Sequence, residues 1–166
     1  VGVALLDDAL RVAGVADPRV SSVQAFELMG RPPADGLVIG VSHEGGTWAT
    51  NEALRDSTAA GARTALITVS DRSPGAALAG TVVQTGEQDQ SWCHTVGYLS
   101  PILVGVALAA AIRGSRTDDL AVRAILDITD DARPASDVAA GLAGVDRVLV
   151  VGAGVDAVTA RELALK

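Results

Sequence analysis

Aromatic residues are scarce in this 166-residue chain, which has one Phe, one Tyr and two Trp. A core must therefore be packed mainly with Ala, Val, Leu and Ile, and the chain is 49% hydrophobic. Cysteine is scarcer still. The single Cys93 excludes an intrachain disulfide and is typical of a reducing compartment, so we expect a cytoplasmic protein.

Basic residues are also few, with 13 Lys and Arg against 20 Asp and Glu and a formal net charge of -7. No basic stripe is present, so nucleic acid is not an expected partner. The longest apolar stretch, 101–112, is shorter than the roughly 20 residues that cross a bilayer, which predicts a buried helix and no membrane partner. No secretory signal is visible, and both ends of the sequence fall inside apolar or helical patterns, as expected of a fragment.

Apolar runs alternate with helical patterns along the chain, which predicts an α/β fold: a three-layer αβα sandwich around a parallel, flavodoxin-like sheet. Strands are expected at 20–25, 36–41, 63–69, 81–85 and 148–151. Helices are expected at 3–13, 47–60, 92–113, 118–126, 134–143 and 156–166. In the second of these helices, the residues expected to face inward are Ala53, Leu54, Ser57 and Thr58.

The most informative stretch is 35–54, where an apolar strand ends in the loop Ser42-His43-Glu44-Gly45-Gly46-Thr47 and a helix follows at once. A helix N-terminus preceded by glycines and hydroxyls is an anion-binding arrangement in α/β proteins. Ser42 and Thr47 are therefore either phosphate donors or caps of an ordinary turn. Gly45 and Gly46 permit close approach of a ligand to the backbone.

Other chemistries fit the residues less well. His43 is either a site residue or a surface histidine, and Glu44 is a general base only if burial raises its pKa. Cys93 and His94 are adjacent on a predicted helix and point about 100° apart, which does not suit a nucleophile and its base. No ligand spacing indicates a metal. Ser42 is not a hydrolase nucleophile, because position 44 would have to be Gly.

Gly152 to Ala157 matches the dinucleotide pattern G-x-G-x-x-A between a predicted strand and helix. The acidic residue that binds the ribose is expected about 20 residues later, beyond the last residue of the sequence. NAD binding is therefore a weaker alternative, and the leading expectation is that no cofactor is used.

Taken together, residues 35–112 resemble a sugar isomerase (SIS) domain, the phosphosugar-binding module. Its signature is an apolar strand, S-x-S-G-x-T and a helix, matched here by Ser42–Thr47. The Gly61-Ala62 pair before the next strand, Thr68 at the end of that strand and Thr95 at a later helix start match further family positions. One departure is Glu44, which replaces the second serine. A carboxylate there would repel a phosphate unless it turns away or is protonated, or the ligand is not a phosphate at this position.

The last segment, 148–166, resembles the start of the second SIS repeat in the isomerase half of glucosamine-6-phosphate synthase, a glutamine–fructose-6-phosphate aminotransferase. Lys166 matches a lysine of that repeat, and the catalytic glutamate of the family would follow it. The resemblance implies a first SIS domain at 1–145 that lacks its usual first strand. Residues 146–166 then either begin a second repeat or complete the first domain within the chain or by exchange with a neighbour.

The resemblance implies binding of a phosphorylated sugar or amino sugar, as part of a sugar-phosphate isomerase or an amino-sugar-phosphate deaminase. The implied catalytic candidates are Lys166, His43 and Glu44. The implied phosphosugar-binding residues are Ser42, His43, Gly45, Gly46, Thr47 and Thr95. A homodimer is also implied, with the apolar helix 101–112 either at its interface or in the interior. The alternatives are a non-catalytic SIS sensor and a degenerate scaffold, the latter because of Glu44.

Overall fold

The computed structural model describes residues 9–15, 20–92, 94–128, 131–154 and 156–165. Its strands are β1 (Leu37–Val41), β2 (Arg63–Thr68) and β3 (Thr81–Gln84). Its helices are α1 (Ala25–Leu28), α2 (Trp48–Ala60), α3 (Thr95–Ile112), α4 (Asp119–Ile128), α5 (Arg133–Gly141) and α6 (Asp156–Leu165), and a 3-10 turn covers Ala76–Leu78. Residues 9–12 are also helical. The expected α/β class is confirmed.

The three strands form a parallel sheet in the order β1-β2-β3. Leu37 pairs with Arg63, and Ala65 pairs with Thr81. The central strand β2 is buried over all but its first residue, whereas β1 and β3 are only partly covered. This difference follows from position, because only the central strand has a neighbour on both sides.

Helix α2 covers one face of the sheet and supplies much of the core. Three of its four residues expected inward are buried: Ala53, Leu54 and Ser57. The fourth, Thr58, is exposed, because the 100° turn per residue carries it to the flank of the helix. Gly40 of β1 permits the close packing, since a Cβ there would lie 3.1 Å from the side chain of Leu54.

The predictions of strands at 20–25 and 148–151 are wrong. Residues 20–24 have no regular structure and lead into α1, and residues 147–153 have none either. Apolar, β-branched sequence suits a strand, but a strand also needs a partner to complete its hydrogen bonds. Within the described residues, neither segment pairs with the sheet.

Helix α3 was expected to be buried, and that expectation is also wrong, because only Gly105 and Ala109 among its residues are buried. The helix is longer than the apolar stretch that predicted it. Helix α3 has 18 residues and a mean hydropathy of 1.9, and 11% of these residues are buried. By length and composition alone α3 could cross a membrane, but core helices of soluble proteins meet the same criterion. Its apolar surface is thus largely uncovered in the described part of the chain.

Candidate functional site

The loops that follow β1, β2 and β3 meet at the carboxyl end of the sheet, as parallel strands require. The His43 carbonyl accepts hydrogen bonds from Val69 N (2.8 Å) and Thr68 Oγ1 (2.9 Å). Thr85 N in turn donates to the Thr68 carbonyl at 2.9 Å. These bonds extend the pairing of the strands into the loops and hold the three loops side by side.

Helix α2 begins directly after the first loop, and the side chain of its N-cap residue makes no capping hydrogen bond. Thr47 is its N-cap residue and is exposed. Ser42 is buried, with 6% exposure. Its Oγ donates to Thr47 Oγ1 at 2.9 Å and accepts from Thr47 N at 3.4 Å. Ser42 therefore orients Thr47. Because the Thr47 hydroxyl accepts this hydrogen bond, it can donate its proton to a ligand.

The two glycines of the loop have different roles. Gly45 has a φ of +68°, and a Cβ there would lie 2.5 Å from the Cβ of Ser73 in the next loop. A side chain is thus excluded at this position both by the backbone conformation and by packing. Gly46 has no atom within 4 Å of the position that a Cβ would occupy. The space beside Gly46, next to the start of α2, is therefore open to a ligand.

The imidazole of His43 is engaged within the protein. Its Nε2 accepts a hydrogen bond from Asp89 N at 2.9 Å, which assigns the ring proton to Nδ1. Gly97 of α3 makes room for the ring, because a Cβ there would lie 3.2 Å from His43 Cγ. Nδ1 is consequently the ring nitrogen left for proton transfer.

Asp89 is the main polar group at the site that the sequence analysis did not single out. Its carboxylate accepts from Gly97 N (2.8 Å), Ser91 N (2.8 Å) and Ser91 Oγ (2.7 Å). The hydrogen bonds from Gly97 and then Ser91 hold the pKa of Asp89 well below its usual range. A carboxylate thus occupies the positive end of α3, which leaves the start of α2 as the candidate anion site at this end of the sheet. The Asp-x-Ser spacing before a helix is the signal that could have identified it.

Glu44 is exposed and is directed towards the third loop, where Gln88 Nε2 donates to its Oε1 at 3.2 Å. The three loops, 42–47, 69–75 and 85–94, contain four carboxylates and one arginine, Arg72. Arg72 is exposed. The site is therefore acidic overall, and Arg72 is the sole arginine or lysine of these loops.

An exposed aromatic pair lies next to the candidate anion site. Trp48, the first residue of α2, is 60% exposed, and Phe26 of α1 is 69% exposed. Their ring centroids are 6.2 Å apart with the planes tilted by 53°. An indole that is open to solvent beside an anion site can pack against the apolar face of a sugar ring.

The remaining candidate residues are not all brought together. Thr95 begins α3, and its N–H donates to Ser91 Oγ at 3.4 Å. Lys166 and Cys93 lie outside the described residues. His94 is exposed and has a left-handed φ of 50°. The described residues contain no group of three or more His, Cys, Asp or Glu that could hold a metal ion.

Comparison with known proteins gives structural likeness without sequence likeness. No family model matches the chain, and no curated protein matches it. The fold is similar to that of a candidate sugar-binding protein from Salmonella typhimurium LT2, with a TM-score of 0.51 and 23% identity over 68% of this chain. A candidate phosphosugar isomerase from Clostridium difficile 630 gives a TM-score of 0.49 and 18% identity over 78% of this chain.

The likeness to the Salmonella protein supports the α/β fold expected from the sequence, and at this identity it shows the fold alone. The chain spans only 34% of the length of that protein and 39% of the length of the Clostridium protein. The finer resemblance to glucosamine-6-phosphate synthase stays a prediction.

Proposed function

We propose that the chain binds the phosphate of a phosphorylated sugar or amino sugar at the start of α2. The observation that carries the proposal is the uncapped N-terminus of α2, with the Thr47 hydroxyl at its first turn and open space beside Gly46. Backbone N–H groups there carry partial positive charge and point at a ligand. Buried Ser42 fixes Thr47, which gives the donors a defined direction.

Residues around the anion site suit the rest of such a ligand. Trp48 offers an apolar surface for a sugar ring, and Arg72 lies in the loop whose Ser73 touches Gly45. Glu44 opposes a second negative charge but would attract the ammonium group of an amino sugar. This balance favours an amino-sugar phosphate over a simple hexose phosphate.

We also propose that the chain is part of a cytoplasmic sugar-phosphate isomerase or amino-sugar-phosphate deaminase. Such a reaction opens the ring and moves a proton between C1 and C2, which needs a base and a cationic or neutral acid. Lys166, His43 and Glu44 are the candidates, of which Glu44 is exposed and so does not meet the condition of burial for a general base. A homodimer is the expected assembly. The competing proposals are a non-catalytic sensor and a degenerate scaffold, in which the Glu44 carboxylate prevents phosphate binding by repulsion.

Isothermal titration and thermal shift with glucose 6-phosphate, fructose 6-phosphate and glucosamine 6-phosphate would test binding, with the unphosphorylated sugars and inorganic phosphate as reference ligands. Thr47→Val should weaken phosphosugar binding about ten- to a hundredfold, since it removes a hydrogen bond to a charged group worth roughly 1.5–3 kcal/mol. Thr81→Val, at an exposed threonine at the opposite end of the sheet, should leave binding unchanged. Absence of binding by every phosphosugar would overturn the proposal.

The role of Glu44 has its own pair of variants. Glu44→Ser should strengthen binding of glucose 6-phosphate about five- to tenfold, because an exposed like charge near 4 Å costs about 1 kcal/mol in water. Glu87→Ser removes the same charge from the neighbouring loop and should have a smaller effect. Binding that appears only in Glu44→Ser would favour the degenerate scaffold over the sensor and the enzyme.

A further inference from the structure

Asn51, in the first turn of α2, ties this helix back to loop 42–47. Its side-chain Nδ2 donates to the Gly45 carbonyl at 3.1 Å. The same carbonyl lies against the next loop, since a Cβ on Gly75 would be 3.0 Å from the Gly45 oxygen. The Gly45 carbonyl is therefore held on the inner side of loop 42–47, between Asn51 and Gly75.

The peptide that joins Gly45 to Gly46 consequently has a defined orientation. No cis peptide bond occurs among the described residues, and in a trans peptide the C=O and the following N–H point in opposite directions. An inward Gly45 carbonyl thus places the Gly46 N–H on the outer side of the loop. Gly46 is exposed there, and no carbonyl of the described residues accepts a hydrogen bond from its nitrogen.

Glycine on both sides of this peptide allows it to turn over unless another group holds it. Turning a peptide over changes ψ of the first residue and φ of the second by about half a turn, as between type I and type II turns. A residue with a side chain at the second position resists this change, whereas Gly46 does not. In the structure, the Asn51 amide is the side chain that selects one of the two orientations.

The other half of the Asn51 amide argues that the residue is not present for stability. Its Oδ1 is buried and has no hydrogen-bond partner among the described residues. This oxygen lies 2.4 Å from the position that a Cβ on Gly75 would occupy. A buried acceptor without a partner destabilises a fold. Leucine has nearly the same shape without that cost, and what it lacks is the N–H group that Asn51 donates to Gly45.

We propose that Asn51 is a positioning residue of the anion site, which holds the Gly45–Gly46 peptide so that the Gly46 N–H faces the phosphate of the ligand. This inference rests on the proposed function. A phosphate monoester carries about −1.5 to −2 charges at neutral pH and has three strong acceptor oxygens. The Gly46 N–H and the Thr47 hydroxyl supply donors to these oxygens beside the N–H groups at the start of α2. The turned-over peptide would present the Gly45 carbonyl instead, which repels an anion.

Isothermal titration with glucosamine 6-phosphate and with inorganic phosphate tests the role of Asn51. Asn51→Leu should weaken binding of both ligands at least about tenfold, because a charge-assisted hydrogen bond from Gly46 is lost. Asn51→Asp should weaken binding further, because its carboxylate repels the Gly45 carbonyl and accepts the Gly46 N–H. Thr58→Val, at an exposed threonine of the same helix, is the control and should leave both affinities unchanged.

A double variant separates positioning from a general loss of packing. Residue 46 has no positive φ in the structure, and the turned-over peptide would require one, so Gly46→Ala favours the observed orientation. In the Gly46→Ala chain, Asn51→Leu should therefore weaken binding of inorganic phosphate by less than about threefold. A loss of packing would lower the affinity by the same factor with glycine or alanine at position 46.

Amide NMR measures the orientation of this peptide directly and needs no ligand. In the wild type, the Gly46 amide proton should exchange rapidly with solvent, and its resonance should move downfield when phosphate is added. In Asn51→Asp the same proton should exchange at least about tenfold more slowly without ligand, because it is then donated to the Asp carboxylate.

Three results would overturn the positioning role and leave the proposed function standing. They are an Asn51→Leu chain that binds as well as the wild type, a loss of affinity that Gly46→Ala does not reduce, and a Gly46 amide that is already protected in the ligand-free wild type. If the wild-type chain binds neither phosphate nor any phosphosugar, the proposed function and the positioning role both fail.

Discussion

The substitution Gly45→Ala tests whether the shape of loop 42–47 is set by this one residue. The left-handed backbone conformation costs a residue with a side chain about 1–2 kcal/mol. The added methyl group would also lie 2.5 Å from Ser73 Cβ, and such overpacking costs a further ~1–3 kcal/mol. We therefore expect the free energy of unfolding to fall by about 2–5 kcal/mol, which for a chain of this size lowers Tm by roughly 10 °C.

Gly46→Ala is the matched control, because no atom lies within 4 Å of its Cβ position and its φ is not positive. Its stability should stay the same or rise by up to about 1 kcal/mol, since alanine restricts the unfolded chain. Urea denaturation of the three proteins, with the slope checked for constancy, measures both effects. If Gly45→Ala and Gly46→Ala agree within about 0.5 kcal/mol, the packing of Gly45 against Ser73 does not shape the loop.

Three further predictions concern the support of the site. Leu54→Ala should cost about 2–5 kcal/mol in urea denaturation, because the 1%-exposed leucine fills the α2–sheet interface. Thr68→Val should cost about 1–2 kcal/mol in the same measurement, because its hydroxyl no longer donates to the His43 carbonyl. Asp89→Asn should lower Tm at neutral pH, and its Tm difference from the wild type should shrink below about pH 4. The pKa of Asp89 is depressed in the folded state, so its stabilisation is complete above the unfolded pKa and is lost as pH falls through the folded pKa. A Tm difference that is independent of pH would contradict this reasoning.

Most of the strand and helix positions that were predicted correctly came from patterns of residues close together in the sequence. The parallel strands β1, β2 and β3 and the helix after loop 42–47 were expected within a few residues of their observed bounds, because apolar periodicity and glycine stops act over short distances. The inward face of α2 followed from the same period, with Thr58 as the exception. The candidate loop could be placed at the carboxyl end of the sheet because all parallel strands of a sheet end there.

Hydrogen bonds between residues distant in sequence could not be predicted from such patterns. Asp89 reaches Gly97 and His43 only after the third loop folds back. Gln88 lies 44 residues from the Glu44 carboxylate that it contacts. These contacts determine which helix N-terminus is free and which nitrogen of His43 is free, so the sequence could name His43 and Glu44 as candidates without assigning the atoms available for chemistry.

The sequence by itself determined the α/β class, the glycine loop between β1 and α2, and the acidic character of the chain, because each depends on neighbouring residues or on composition. The tertiary structure decided that Ser42 orients Thr47, that Asp89 occupies the start of α3, and that α3 and residues 147–151 lie uncovered. Burial and strand pairing require a second surface, and no local pattern states whether that surface is present.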